Sequence, residues 1–512
     1  MGAFQAIEQF LKTSGQPAVM EPGEDAIPVA TDNFRLERSG ERVTFEVWSD
    51  THNLVRRVRA IHSERRGRLE LDVEHFGGRI GRLTLVDLAH PSSRGASRQT
   101  ARLKYRERFR RSLLRQFPDW RIVELSTAPD LHHSLSPSYP RALLCKGNTA
   151  MAAIGAAEDS LDPDGALTFG LIWLDYVRRR ESRLSVRGLA IFLPEGRERT
   201  TCHRLRYLDP SLAAYTLFVH YASGAEDPVD ALDRGNFDTR IEPCRVPLAG
   251  YRTELADWVE RIAKLPGVER RDQPDGAVIL AVRGLEFARA SGGRLTFGID
   301  QKHEALLDGP SNDEAHLREI EFLAQGLESM RHASRAGVGN PLYSRHPEAW
   351  LESQVRAGIE TLDASLLPRP LYGQVPQFAA GERGILDILA VDRDGRLAIV
   401  EVKASQDVHL PMQALDYWMR VKWHLERGEF RGRGYFPGVE LRSDPPRLLL
   451  VAPALDFHPT NETLLRYLSP EVEVERLGVG IQWRQELRVM FRDSAPQCHS
   501  PFSAKSDRAL PI

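Results

Sequence analysis

The apolar positions of the chain change period along its length, and the period sorts it into elements. VTFEVWS (43–49), RLELDVEHF (68–76) and GRLTLVDL (81–88) alternate or run apolar, which predicts strands, with Gly77-Gly78 turning between the last two. A short amphipathic helix precedes them. Over 98–116 the period lengthens: Ala101, Tyr105, Phe109 and Leu113 fall four apart and predict the buried stripe of a helix. The strand WRIVELS (120–126), a polar loop with His132 and His133, a mostly buried helix over 166–180 and the strand VRGLAIFLP (186–194) follow. This is an α/β pattern without a familiar motif.

A second stretch runs from a helix near 251–264 through the strand AVILAVRGL (277–285) and the turn at 291–293 to a long polar helix at 312–334. RAGVGNP (335–341) then reads as a linker. The third stretch is ordered as helix (347–363), strand (371–377), hairpin (384–403), helix (409–426), strand (447–453), helix (460–468) and strands (471–477, 486–492). The expected organisation is 1–245, an α/β recognition or regulatory region; 246–340, a small α/β unit ending in a long helix and linker; 341–492, a third domain; and 493–512, a Pro- and Ser-rich tail read as disordered. No internal repeat is convincing.

Composition narrows the classes. The chain has 512 residues, 69 basic and 71 acidic, for a formal net charge of −2, so any nucleic-acid surface must be a local patch. One such patch is the 98–116 helix, whose polar faces carry Arg102, Arg106, Arg110 and further arginines against a lone Glu107. Solvated arginines are the plainer reading; phosphate contacts are the functional one. Four scattered cysteines without a CxxC pair speak against a zinc ribbon or a disulfide framework. No run reaches the roughly 18 apolar residues of a membrane span. The expectation is a soluble, cytoplasmic protein without a membrane partner.

The chemistry concentrates in GILDILAVDRDGRLAIVEVK (384–403). Arg393-Asp394-Gly395 has the form of a three-residue hairpin loop whose glycine takes positive φ. That loop pairs Asp392 with Arg396 and, counting back, sets Asp387 opposite Glu401, with Cβ atoms roughly 5 Å apart. Leu397, Ile399, Glu401 and Lys403 share one face. Two carboxylates this close, in an otherwise apolar strand environment, call for a divalent cation or a shared proton. Oxygen ligands suit Mg²⁺ or Mn²⁺ rather than zinc.

An Asp, about a dozen residues and then Glu-x-Lys on a hairpin resembles the PD-(D/E)xK, or restriction-endonuclease-like, nuclease superfamily, over about residues 342–492. The resemblance implies a C-terminal restriction-endonuclease-like α-β-β-β-α-β core with a mixed sheet, so that with the α+β domains read from the N-terminal pattern the expected fold class is α/β. It implies metal-dependent phosphodiester hydrolysis on nucleic acid, with DNA the expected substrate; the architecture alone is compatible with bacterial defence or DNA repair. Asp387, Glu401 and the Val402 carbonyl would hold the metal, and Lys403 would position or deprotonate the attacking water. The preceding helix offers Glu348 and Glu352, four apart on one face, and Glu352 beside the apolar stripe is preferred. Gln413 and Tyr417 match the family's Gln-x-x-x-Tyr and would orient the lysine or a phosphate, with Arg420 on the same face. Leu386 stands where the family commonly has Pro. A homodimer is compatible with this reading. The competing classes are a nucleic-acid-binding protein on an inactive nuclease scaffold and a protein–protein assembly platform.

Overall fold

A computed structural model describes residues 2–494 apart from 22–26, 41, 49–52, 66–67, 75–79, 88–93, 131–132, 159, 161, 232–238, 250–252, 300–304, 308–312, 336–340 and 380–381. The Gly77-Gly78 turn, His132, most of the linker and nearly all of the tail expected at 493–512 lie outside the described residues. Among the described residues the fold is mixed α/β with four sheets. Two compact units divide between Gly235 and Asn236. The first also takes in 458–470, and the second comprises 236–457 and 471–494. The sequence boundaries at 245/246 and 340/341 both lie inside the second unit. Among the described residues no helix is long and apolar enough to cross a membrane.

The first unit opens with a seven-stranded antiparallel sheet within residues 17–87. The helix Ala3–Thr13 buries Ala6, Ile7 and Phe10 against Phe45, Leu71 and Leu83 of that sheet. Its longest strand, Asn53–Arg65, carries four arginines among few apolar residues and had no strand signal in the pattern. The rest of the unit is a second sheet. Helix α1 (Arg94–Gln116) leads into the meander β1 (Arg121–Ser126), β2 (Arg141–Lys146) and β3 (Thr149–Gly155). Then come helix α2 (Gly165–Arg180), β4 (Ser185–Pro194), short helix α3 (Arg199–Leu205), β5 (Ala214–His220) and β6 (Glu226–Val229). Phe109 and Leu113 of the expected α1 stripe are buried against Ala142, Leu144, Ala153, Ala190 and Phe192.

In the second unit, a five-stranded antiparallel sheet within 268–307 packs against the helices Thr253–Ala263 and Asp313–Met330. The single strand expected at 277–285 is two strands, Val278–Val282 and Leu285–Ser291. Arg283 and Gly284 between them both take positive φ, 46° and 79°, and reverse the chain. A Cβ on Gly284 would stand 1.9 Å from the carbonyl oxygen of Ala349, so this turn presses onto the helix that follows.

That helix is α4 (Pro347–Ala357). The continuous helix expected over 347–363 breaks at Gly358, whose φ of −125° and ψ of 40° are not helical, and resumes for one turn at Ile359–Leu362. Strands β7 (Tyr372–Ala379), β8 (Glu382–Val391) and β9 (Leu397–Val402), helix α5 (Leu410–Glu426), β10 (Arg447–Pro453), short helix α6 (Asn461–Arg466), β11 (Val474–Val479) and β12 (Val489–Ser494) complete the chain. The strand Thr239–Ile241 joins at the β7 edge. Trp350, Leu351 and Val355 of α4 bury themselves against Ala398, Val400, Val402, Leu449 and Val451, while α5 packs on β9 and β10.

The sheet of the first unit and this one have one topology. Each is a three-stranded antiparallel meander, a helix, two strands added in parallel with a short helix between them, and an antiparallel last strand. The expectation of no internal repeat is therefore corrected. The repeat lies in topology, and a short trace of it survives in sequence: Leu205-Arg206-Tyr207-Leu208-Asp209-Pro210 after α3 and Leu465-Arg466-Tyr467-Leu468-Ser469-Pro470 after α6. Leu208 and Leu468 form an antiparallel bridge. The Asp209 amide donates to Tyr467 O and the Ser469 amide to Tyr207 O, at 2.9 and 2.7 Å.

Arg331 fixes the approach to α4. It is fully buried, and its guanidinium donates to the carbonyls of Arg283, Leu342 and Arg345 over the face of Trp350. Burial pushes its pKa down to about 10.

Candidate active site

The hairpin has the register that its turn implies. Ile388 pairs with Val400 and Leu389 with Ile399, so Asp387 lies across from Glu401. The Asp392 amide donates to Arg396 O at 2.9 Å, and Gly395 takes a φ of 85°. A Cβ there would meet the Glu440 carbonyl oxygen at 2.0 Å, so glycine is required twice over.

Glu401 is 3% exposed, and its Oε2 is buried without a hydrogen-bond partner among the described residues. Asp387 Oδ2 accepts from the Val402 amide at 2.9 Å. Burial, then the neighbouring Glu352, raises the Asp387 pKa to about 7, against the pull of the Val402 amide and Lys403. Burial, then Asp387, raises Glu401 well above the ordinary carboxylate range. Lys403 goes the other way. Burial alone would lower it, but Glu348, Asp407, Glu401 and Asp387 together hold it firmly as an ammonium. Its Nζ is 3.9 Å from Glu348 and 3.6 Å from Asp407. Its amide donates to Val451 O at 2.9 Å, which anchors the end of β9 on β10.

The two helix carboxylates have different environments. Glu352, the one preferred from sequence, is 6% exposed and held by Arg356 Nε at 2.7 Å and Arg271 Nη1 at 3.6 Å. Glu348 is the one that faces Lys403. Arg356 also donates from Nη2 to the carbonyl of Asp387 at 3.0 Å, so one guanidinium joins α4 to the acidic strand. It crosses β7 at Gly373, where a Cβ would lie 1.2 Å from Nη2.

Gln413 and Tyr417 lie half-buried on α5. Burial, then Glu401 and Asp387, raises the Tyr417 hydroxyl's pKa, which places that ring in the field of the pair. Arg420 stacks 6.0 Å from the Tyr417 centroid and is 9% exposed. His424, on the same face, is 1% exposed and bonds Thr239 and Glu429. The far end of this face is thus covered by protein. Arg102 approaches Asp32, Arg106 bonds Leu125 O, and Arg110 pairs with Glu107. Those three guanidiniums of α1 already have intramolecular partners. His133 likewise pairs with Asp130 at 2.9 Å.

Sequence reasoning missed Asp407, Arg356 and Arg271. Arg356 carries a signal, standing one helical turn beyond Glu352 on α4, while Asp407 lies in the loop after β9, where a four-residue spacing predicts no meeting of side chains. Arg271 comes from the strand Val268–Asp272 and has no signal either. Comparison with family models, with curated proteins and with solved structures returned no match.

Proposed function

We propose that the chain is a divalent-cation-dependent nuclease, with DNA as its expected substrate, and that α4 to β12 form its restriction-endonuclease-like core. The observation that carries this reading is the pair of half-buried Asp387 and buried Glu401, opposed across β8 and β9, with a Glu401 Oε2 that has no hydrogen-bond partner among the described residues and the Lys403 ammonium just past the end of β9. Two carboxylates facing each other in the interior repel unless a proton or a cation stands between them. The donors are hard oxygens, and the orphaned Oε2 fits Mg²⁺ or Mn²⁺. Asp387, Glu401 and the Val402 carbonyl would hold the ion. Once bound, it would supply charge stabilisation at the phosphate and acidify a water.

The chain's own groups account for the rest. Lys403 orients the attacking water or a phosphate oxygen through its ammonium protons. Glu348 and Asp407 keep that ammonium in place. Glu352 and Arg356 brace the Asp387 backbone, and Tyr417 and Gln413 line the helix side. A water oxygen bonds to phosphorus and releases a proton to solvent, because Lys403 is already an ammonium and cannot take it; the bond from phosphorus to the leaving sugar oxygen breaks, and that oxygen takes up a proton from solvent.

The test is cleavage of plasmid and single-stranded DNA in Mg²⁺ or Mn²⁺, comparing wild type with Asp387→Ala and Lys403→Ala. Both variants are expected to lose at least 100-fold. Cutting that survives both removes the site assignment. A second reading, nucleic-acid binding without catalysis, draws on the lack of any cluster of three metal-ligating side chains among the described residues. Retained DNA binding with no cutting in either metal selects it.

A further inference from the structure

We infer that α1 to β6 is a copy of α4 to β12 that has lost its cation site, so that each chain holds one metal centre and breaks one strand of a duplex per encounter. The inference rests on the nuclease reading of the second sheet and extends it to the form of the product.

The two sheets correspond element by element, and the match can be carried to single positions. Each meander ends in a tight hairpin with a left-handed glycine, Gly147 at φ 61° and Gly395 at φ 85°. Each central strand hands its next amide to the parallel neighbour: Ala156 N–H donates to Phe192 O and Lys403 N–H to Val451 O, both at 2.9 Å. Phe192 and Val451 each face the core beneath the leading helix. Pro194 and Pro453 each end the strand concerned. With those amides superposed, Ala156 stands for Lys403, Gly155 for Val402 and Ile154 for Glu401. Ile154 turns toward α2, close to Gly170, as Glu401 turns toward Tyr417 of α5. Ile154 pairs with Arg141, which therefore stands for Asp387.

The acid, the acid and the lysine of the second sheet are thus a cation, an isoleucine and an alanine in the first. Arg141 is 4% exposed, donates to Ala128 O at 2.6 Å and stacks 5.5 Å from the Trp173 centroid. A fixed guanidinium there excludes a divalent ion by charge as well as by lack of donors. The acids whose fields reach Arg141 are already paired, Asp130 with His133 and Glu124 with Arg180.

Duplex DNA offers two antiparallel strands, each needing its own centre or a second visit. Two intact copies in one chain would furnish two centres; one decayed copy leaves a single one.

The test uses the full chain. Mn²⁺ titration calorimetry is expected to show binding in wild type and none in Asp387→Asn or Glu401→Gln, each checked for folding by its melting curve. With limiting enzyme, supercoiled plasmid is expected to pass through open circles before any linear product. Mn²⁺ binding that persists in both variants, or linear DNA that forms without an open-circle precursor from enzyme that sediments as a monomer, overturns the inference. Wild type that binds no Mn²⁺ and cuts nothing overturns the nuclease reading itself, and this inference with it.

Discussion

At the residue scale, Glu348 and Glu352 are chemically identical and one helical turn apart, yet their surroundings assign them different work. Glu352 neutralises two guanidiniums inside the protein. Glu352→Gln leaves Arg271 and Arg356 with less than their charge requires, and a loss of about 2–4 kcal/mol is expected in urea unfolding. Glu348→Gln should leave the melting temperature within 2 °C or so while lowering the cleavage rate at least tenfold, since Glu348 bears on Lys403. The reverse pattern would reinstate the sequence-based preference. Glu46 gives a separate test far from this chemistry. It is fully buried, both its carboxylate oxygens lack partners among the described residues, and burial raises its pKa to about 8. A carboxyl raised on folding keeps its proton in the folded state at pH values where the unfolded chain has already lost it, so stability falls as pH rises from the ordinary carboxylate value of 4.5 and the loss is complete by about 8. Melting temperatures from about pH 5 to 8 should decline more steeply in wild type than in Glu46→Gln. Equal slopes would show that Glu46 is not the group responsible.

At the element scale, the β8–β9 hairpin was the most legible part of the chain. Its turn residues set the register, and register sets which side chains meet. Deleting Asp394 should convert the three-residue loop to two, move Asp387 out of line with Glu401 and abolish Mn²⁺ binding in calorimetry while far-ultraviolet circular dichroism keeps most of its native signal. The helix stripes of α1 and α5 were equally readable, because burial on one side leaves a period in the sequence. Other features left no such mark. The strand Asn53–Arg65 reads as basic and polar because its charged side chains extend into solvent or pair across the sheet, as Arg57 and Arg59 do with Glu74. The break between Val282 and Leu285 depends on Gly284 meeting Ala349, a contact 65 residues away in sequence. Arg271 reaches Glu352 over a similar span. Single-sequence patterns carry local period and turn chemistry, and these contacts are neither.

At the scale of the whole molecule, the duplication was hidden for a related reason. Topology is kept by hydrogen-bonding direction and by burial, which many apolar sequences satisfy, so two copies can share a fold with little more than Leu-Arg-Tyr-Leu in common. The residues that would have advertised the kinship are the acids and the lysine, and in the first copy those are the ones replaced. Arg331 tests how the parts of the second unit depend on one another. Arg331→Met removes the buried donor shared by three half-buried carbonyls, and a loss of about 3 kcal/mol is expected in chemical unfolding, with cleavage lost only where the chain is unfolded. Loss of cleavage in a fully folded variant would give Arg331 a nearer role than its contacts indicate.

The placement of residues 458–470 with the first unit has a bearing on biosynthesis. A domain is generally expected to fold as it leaves the ribosome, N-terminal part first. Here the first unit lacks one of its own pieces until about 470 residues have been made, by which time most of the second unit has emerged. A nascent chain arrested near residue 300 should therefore hold its N-terminal half in a protease-sensitive state, and one arrested beyond residue 500 should protect both units together.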